Sequence, residues 1–224
     1  MLSPTHKILS KSEIPANLIK QINECINSSN SYKAAEKFFQ KNTSILVSTD
    51  QSILKAYKKD CSNIDGSADI LVRPKNRLEC AISIYIFYKI NISITISAGR
   101  TNLTGSATPL TGAIISTEKM VTNNISIDLK NKRASCAVGT ILEDFREKVK
   151  NGSNQQLYYP VDPTSRKDAT IGGTISCNAS GFVPGNRGAT RYWVNSLSIV
   201  LTSGRIINAK RGQYVSKNGK FLID

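Results

Sequence analysis

The chain has 224 residues, 40% of them hydrophobic and 21% charged, a globular composition with enough apolar surface for one large core or two smaller ones. No run approaches the ~18–20 apolar residues of a membrane-spanning helix, and residues 1–12 lack the apolar stretch of a secretory signal, so a cytoplasmic protein without a transmembrane segment is expected. Thirty Lys and Arg against sixteen Asp and Glu give a charge of +14, but the excess is spread along the chain with no basic block, which argues against nucleic acid as a partner.

Taken in order, residues 1–65 read as a helical entry segment. Ser12 is placed to cap a helix over 14–26, with Leu18, Ile19, Ile22 and Ile26 on one face. A second amphipathic helix covers 32–40, and 45–47 is a short strand. Ile70-Leu71-Val72 reads as a buried strand ended by Arg73-Pro74. Asn76 then caps a helix to Lys89 with Leu78, Ala81, Ile82, Tyr85 and Ile86 inward. Residues 90–96 alternate Ile with polar residues, the period of a half-buried strand, and 113–116 is another strand. Residues 125–129 and 134–138 form a hairpin. Thr140 to Glu143 has the spacing of a capping box, starting a helix to about Lys150. Ser203-Gly204 turns a last hairpin between 197–202 and 205–209. The fold class is α+β: the entry segment, a first α/β lobe over 66–127 and a second lobe over 128–224.

Five dispersed cysteines without C-x-x-C spacing fit reduced thiols and no zinc site, and the one histidine, His6, leaves no base for a Ser-His-Asp triad. Asp162 is a turn residue before Pro163, and Asp168 a helix cap. Two stretches do not fit core strands. The first is S-A-G-R-T-N-L-T-G-S-A-T-P, residues 97–109; the second is P-V-D-P-T-S-R-K-D-A-T-I-G-G-T-I-S-C-N-A-S-G, residues 160–181. Gly and small hydroxyl residues let backbone approach a ligand and present N–H groups to phosphate oxygens. In the first, Arg100 adds charge; in the second, the N–H groups of Gly172 and Gly173 at a helix start can meet an anion. Neither a Rossmann fingerprint nor a P-loop is present.

Together with A-D-I-L-V-R-P-K-N-R-L-E and N-R-G-A-T-R-Y-W-V-N-S-L-S-I-V-L-T-S-G-R-I, these stretches resemble the FAD-binding domain of the vanillyl-alcohol oxidase (PCMH) type, in the branch with D-lactate dehydrogenase and glycolate oxidase. The resemblance implies a pyrophosphate loop at Ser97, Ala98, Gly99, Arg100, Thr101, Asn102 and Gly105. It implies a second FAD-contacting run at Pro160, Asp162, Thr170, Gly172 and Gly173, and a flavin-side turn at Asn178, Ser180 and Gly181. With Ala98 in the loop and no histidine near it, FAD is expected to be non-covalent. Gly172→Val or Gly105→Val is expected to abolish flavin binding with little loss of fold.

Similar proteins continue into a strand-loop that completes the FAD lobe and then a cap domain that supplies the catalytic side chains. The chain is therefore expected to be the N-terminal part of a flavin-dependent oxidoreductase, with an incomplete second lobe and no catalytic residue assigned. Its intact form would oxidise a small 2-hydroxy acid such as D-lactate or glycolate, with a separately encoded C-terminal half as a candidate partner. A non-catalytic remnant of such a flavoprotein is the alternative.

Overall fold

The computed structural model describes residues 11–28, 31–122, 124–182, 188–211, 216–217 and 220–221. His6 and part of the segment between Gly181 and Ala189 lie outside them.

A four-stranded sheet carries the first half. Its order is β2 (Leu46–Ser48), β3 (Ile70–Arg73), β5 (Ala113–Ser116), β4 (Ile94–Ser97), with β3, β5 and β4 parallel and β2 antiparallel at the edge. Ile70, Leu71, Val72 and all four residues of β5 are buried, as strands covered on both faces must be. Helix α4 (Arg77–Lys89) crosses from β3 to β4 and is capped by Asn76, whose side chain accepts the Glu79 N–H. Cys80, Ser83, Ile84 and Phe87 are buried as well as the expected Ala81, Ile82 and Ile86, whereas Leu78 and Tyr85 are only half-buried. Helices α1 (Ala16–Ser28) and α2 (Tyr32–Asn42) cover α4, with Phe39 and Phe87 rings 5.8 Å apart. A short helix α3 (Gln51–Leu54) runs into a 3-10 turn at Lys55–Tyr57.

The second half has smaller cores. The hairpin of β6 (Ser126–Asp128) and β7 (Arg133–Ser135) packs with α5 (Leu142–Gly152) and α6 (Ile171–Ser176) around Leu142, Phe145, Val149 and Ile171. The hairpin of β8 (Ser196–Val200) and β9 (Arg205–Lys210) turns at Gly204 with φ 71°, and β1 (Lys11–Ser12) adds to its free edge. A last short pair joins β10 (Ser216–Lys217) and β11 (Lys220–Phe221).

Several expectations change. Ser12 does not cap α1; it pairs with Arg205 in β1, and the helix begins four residues later, where the Pro15 carbonyl accepts the Ile19 N–H. The strand expected over 90–96 starts only at Ile94, because Ile90 ends α4 and Asn91 takes a left-handed φ of 54° beyond it. Thr140 forms no capping box. The α5 N-cap is Ile141, and the free N–H groups of Leu142 and Glu143 donate to the carbonyls of Ala169 and Arg166. Asp168 is not a cap either; that role belongs to Thr170 on α6.

Candidate functional site

The first glycine-rich stretch leaves the carboxyl end of β4 at fully buried Ser97, whose carbonyl accepts from the Thr117 hydroxyl at 3.2 Å. The Ala98 carbonyl accepts from Arg100 Nη1 at 3.3 Å, and the Arg100 carbonyl from the Cys61 N–H at 3.1 Å. Arg100 itself has a left-handed φ of 54°, and its guanidinium stacks 4.6 Å from the Tyr57 ring centroid. Asn102 gathers the next turn: its Oδ1 accepts from the Thr104 N–H and hydroxyl and from the Ser106 N–H. Gly105, at φ 74°, occupies a conformation that side chains resist.

Asp60 holds this loop from outside. Its carboxylate is 6% exposed and accepts the N–H groups of Ser62 at 2.9 Å and Ala107 at 3.2 Å. Burial pushes its pKa up, but hydrogen bonds from Ser62, Ala107 and Asn102 outweigh that and leave it below the usual aspartate value.

The second stretch starts at buried Pro160 and Val161. The Asp162 carboxylate sits 3.0 Å from both Arg146 and Arg166, which also meet Glu143 at 3.0 and 3.1 Å. A Cβ on Gly181 would come 2.2 Å from the Asp162 backbone, so that glycine is a packing site. The expected anion donors at the start of α6 are already engaged. The Gly172 N–H donates to the Val138 carbonyl at 2.8 Å and the Gly173 N–H to the Thr170 hydroxyl at 3.1 Å. A Cβ on Gly172 would lie 2.8 Å from Val138 Cβ, so Gly172→Val strains the fold itself, contrary to the expectation from sequence. Asn178, at φ 46°, accepts the Arg191 N–H at 3.0 Å, and Ser180 is exposed.

The two stretches meet. A Cβ on Gly99 would fall 2.3 Å from the Asp168 carbonyl oxygen, and one on Gly173 would lie 3.5 Å from Ala98 Cβ. Between them opens a cleft of about 800 Å³, lined by Cys61, Thr101, Asn102, Leu103, Thr104, Ser106, Thr164, Ser165, Asp168, Ser176 and Cys177. Of the residues expected from sequence, Thr101 and Asn102 face it. Ser97, Ala98, Gly99, Arg100 and Gly105 build the loop behind them, and Thr170, Gly172 and Gly173 build the start of α6. Pro160, Asp162, Asn178, Ser180 and Gly181 are not among its lining residues. Thr164, Ser165, Ser176 and Cys177 lay inside the second quoted stretch but were not singled out. Cys61 had no sequence signal; its hydrogen bond to the Arg100 carbonyl and the neighbouring Asp60 carboxylate on the Ala107 N–H bring it there.

The lining is mostly short hydroxyl and amide groups, neutral donors suited to phosphate and ribose oxygens, with Asp168 as its one carboxylate. Three loop carbonyls, of Ser97, Ala98 and Arg100, are bonded on the protein side. Room and neutral donors fit a dinucleotide, with Leu103 the one large apolar side chain of the lining. Two thiols elsewhere are kept protonated by burial: those of Cys80 and Cys136 are pushed up to about 11.

Comparison with known proteins agrees with this geometry. Residues 68–210, more than half of the chain, match the family model of the FAD binding domain. The chain is 32% identical over 139 residues to the glycolate oxidase subunit GlcD of Bacillus subtilis, covering 62% of this chain and 29% of that protein. It is 33% identical over 155 residues to a D-lactate dehydrogenase of Archaeoglobus fulgidus, covering 69% of this chain and 34% of that one. Among solved structures, an alkyldihydroxyacetonephosphate synthase superposes with a TM-score of 0.65 at 16% identity, covering 91% of this chain and 38% of its own. A chitooligosaccharide oxidase does so with a TM-score of 0.64 at 12% identity, covering 86% and 37%. The architecture is thus that of the PCMH-type flavoproteins. The chain belongs to the FAD binding domain family, and it spans about a third of the length of these curated relatives. Among the described residues, no helix is long and apolar enough to cross a membrane.

Proposed function

We propose that this chain is the FAD-holding part of an oxidoreductase whose whole form takes a hydride from a small 2-hydroxy acid of the D-lactate or glycolate type. The observation that carries the proposal is the meeting of the 97–106 and 164–177 segments around one cleft lined by short polar side chains. The names of the curated relatives supply the substrate class. When bound, FAD supplies the hydride-accepting chemistry. Thr101, Asn102, Thr104 and Ser106 hold its anionic portion from one wall, and Thr164, Ser165 and Ser176 from the other. Ser97, Ala98, Gly99, Arg100 and Gly105 shape the first wall; Thr170, Gly172 and Gly173 shape the second. Asp168 is suited to accept from ribose hydroxyls, since a carboxylate repels phosphate and attracts a diol. Pro160, Asp162, Asn178, Ser180 and Gly181 lie off this cleft, with Gly181 packed on the Asp162 backbone.

The reading includes non-covalent FAD, a cytoplasmic setting and a remainder of the enzyme, on this or a separate chain, that contributes the proton-abstracting groups. A non-catalytic remnant is the second reading. It is favoured by the internal engagement of the Gly172 and Gly173 N–H groups, which removes two donors from the site. Titration of the folded chain with FAD, followed by flavin fluorescence, tests both. Saturable quenching with flavin released into the supernatant by acid precipitation supports the first. A folded sample that leaves FAD fluorescence unchanged supports the second.

A further inference from the structure

Tyr57 belongs to the 3-10 turn before the family-matched segment, yet it touches the loop that the proposed function depends on. Its ring, 7% exposed, carries the Arg100 guanidinium at 4.6 Å, and its hydroxyl donates to Glu118 Oε1 at 2.5 Å. Arg73 Nη1 approaches the same carboxylate oxygen at 3.5 Å. The 97–109 loop therefore meets the ring of Tyr57 and the turn after β5 its hydroxyl, with Arg73 of β3 on the same Glu118 carboxylate.

The consequence is orientational. Every described peptide bond is trans, so the C=O of one residue and the N–H of the next point in opposite directions. Arg100 Nη1 holds the Ala98 carbonyl, which turns the Gly99 N–H the other way. The Cys61 N–H holds the Arg100 carbonyl and turns the Thr101 N–H likewise. The left-handed backbone at Arg100 that permits both is unfavourable for a side-chain-bearing residue and persists only when its surroundings fix it. A guanidinium free in water would make the Ala98 contact only intermittently; one stacked on a buried ring makes it continuously.

We propose that the ring of Tyr57 makes it a positioning residue for the cofactor loop: by anchoring the Arg100 guanidinium it sets the facing of the Ala98–Gly99 peptide. It rests on the FAD reading for its functional meaning but not for its structural content. The test compares the chain with Tyr57→Phe, which keeps the ring, and Tyr57→Leu, which removes it. FAD affinity is read by fluorescence titration and amide hydrogen exchange is read without flavin. Expected are near-normal affinity and loop protection in Tyr57→Phe. In Tyr57→Leu, affinity falls by about tenfold and exchange of the loop-bound amides of Cys61, Thr104 and Ser106 quickens, while α4 stays protected. Unchanged loop exchange in Tyr57→Leu overturns the proposal, as does loss of protection over loop and α4 alike, or a Tyr57→Phe that behaves as badly as Tyr57→Leu. If the unmodified chain binds no FAD, the FAD reading fails, and the exchange comparison still decides whether Tyr57 orients the loop.

Discussion

Gly99 and Gly105 look alike in sequence, but they serve different physics. Gly105 needs its glycine for a positive φ, whereas Gly99 needs it because the second stretch passes directly over its Cα, with the Asp168 carbonyl where a Cβ would stand. The glycines that suggested bare backbone for a ligand are in part the joint between the two loops. Gly99→Ala is accordingly expected to destabilise the chain by about 1–3 kcal/mol, since backbone must move to admit a methyl group. Gly173→Ala is the control. Its added Cβ meets only the Thr170 hydroxyl at 3.3 Å and Ala98 Cβ at 3.5 Å, and alanine favours a helix, so a loss under about 1 kcal/mol is expected. Urea unfolding midpoints for the two variants check this, and equal midpoints would refute the role given to Gly99.

At the scale of elements, legibility followed the range of the interaction. Helix α4 was readable because Asn76, its cap and its apolar residues all lie within its own sequence, and the β8–β9 hairpin because Gly204 sits in its turn. The start of α5 was misread because its T-x-x-E pattern is local while its solution is not. Glu143 gives its carboxylate to Arg146 and Arg166, and residues far along the chain supply carbonyls to the first turn. The same four charges, Glu143, Arg146, Asp162 and Arg166, clamp α5 to the second stretch. Their side chains are a quarter to a third exposed, so solvent weakens each pair. A double-mutant cycle with Arg146→Met and Asp162→Asn is expected to give a coupling of about 1 kcal/mol that shrinks as salt is raised. A coupling near zero at low salt would show that the clamp contributes geometry without stability.

At the scale of the whole molecule, the sequence pointed to both stretches and to their meeting around one cofactor but not to Cys61, which the Arg100 carbonyl and the neighbouring Asp60 carboxylate bring to the first wall. That convergence can be read through thiol chemistry. Cys61 and Cys177 are both exposed and line the same cleft from distant parts of the sequence. Cys80 is buried, and a thiol held near pKa 11 is thiolate in roughly one molecule in a thousand at a pH near 8, so both access and nucleophilicity protect it. Brief treatment of the folded chain with iodoacetamide is expected to label Cys61 and Cys177 and to spare Cys80 until denaturant is added, as read by peptide mass spectrometry. Saturating FAD is expected to slow labelling of both exposed thiols together, by about tenfold or more, because any molecule that fills the cleft must cover both walls. If FAD protects one thiol and leaves the other as reactive as before, the ligand does not span the cleft, and the two stretches do not share one binding site.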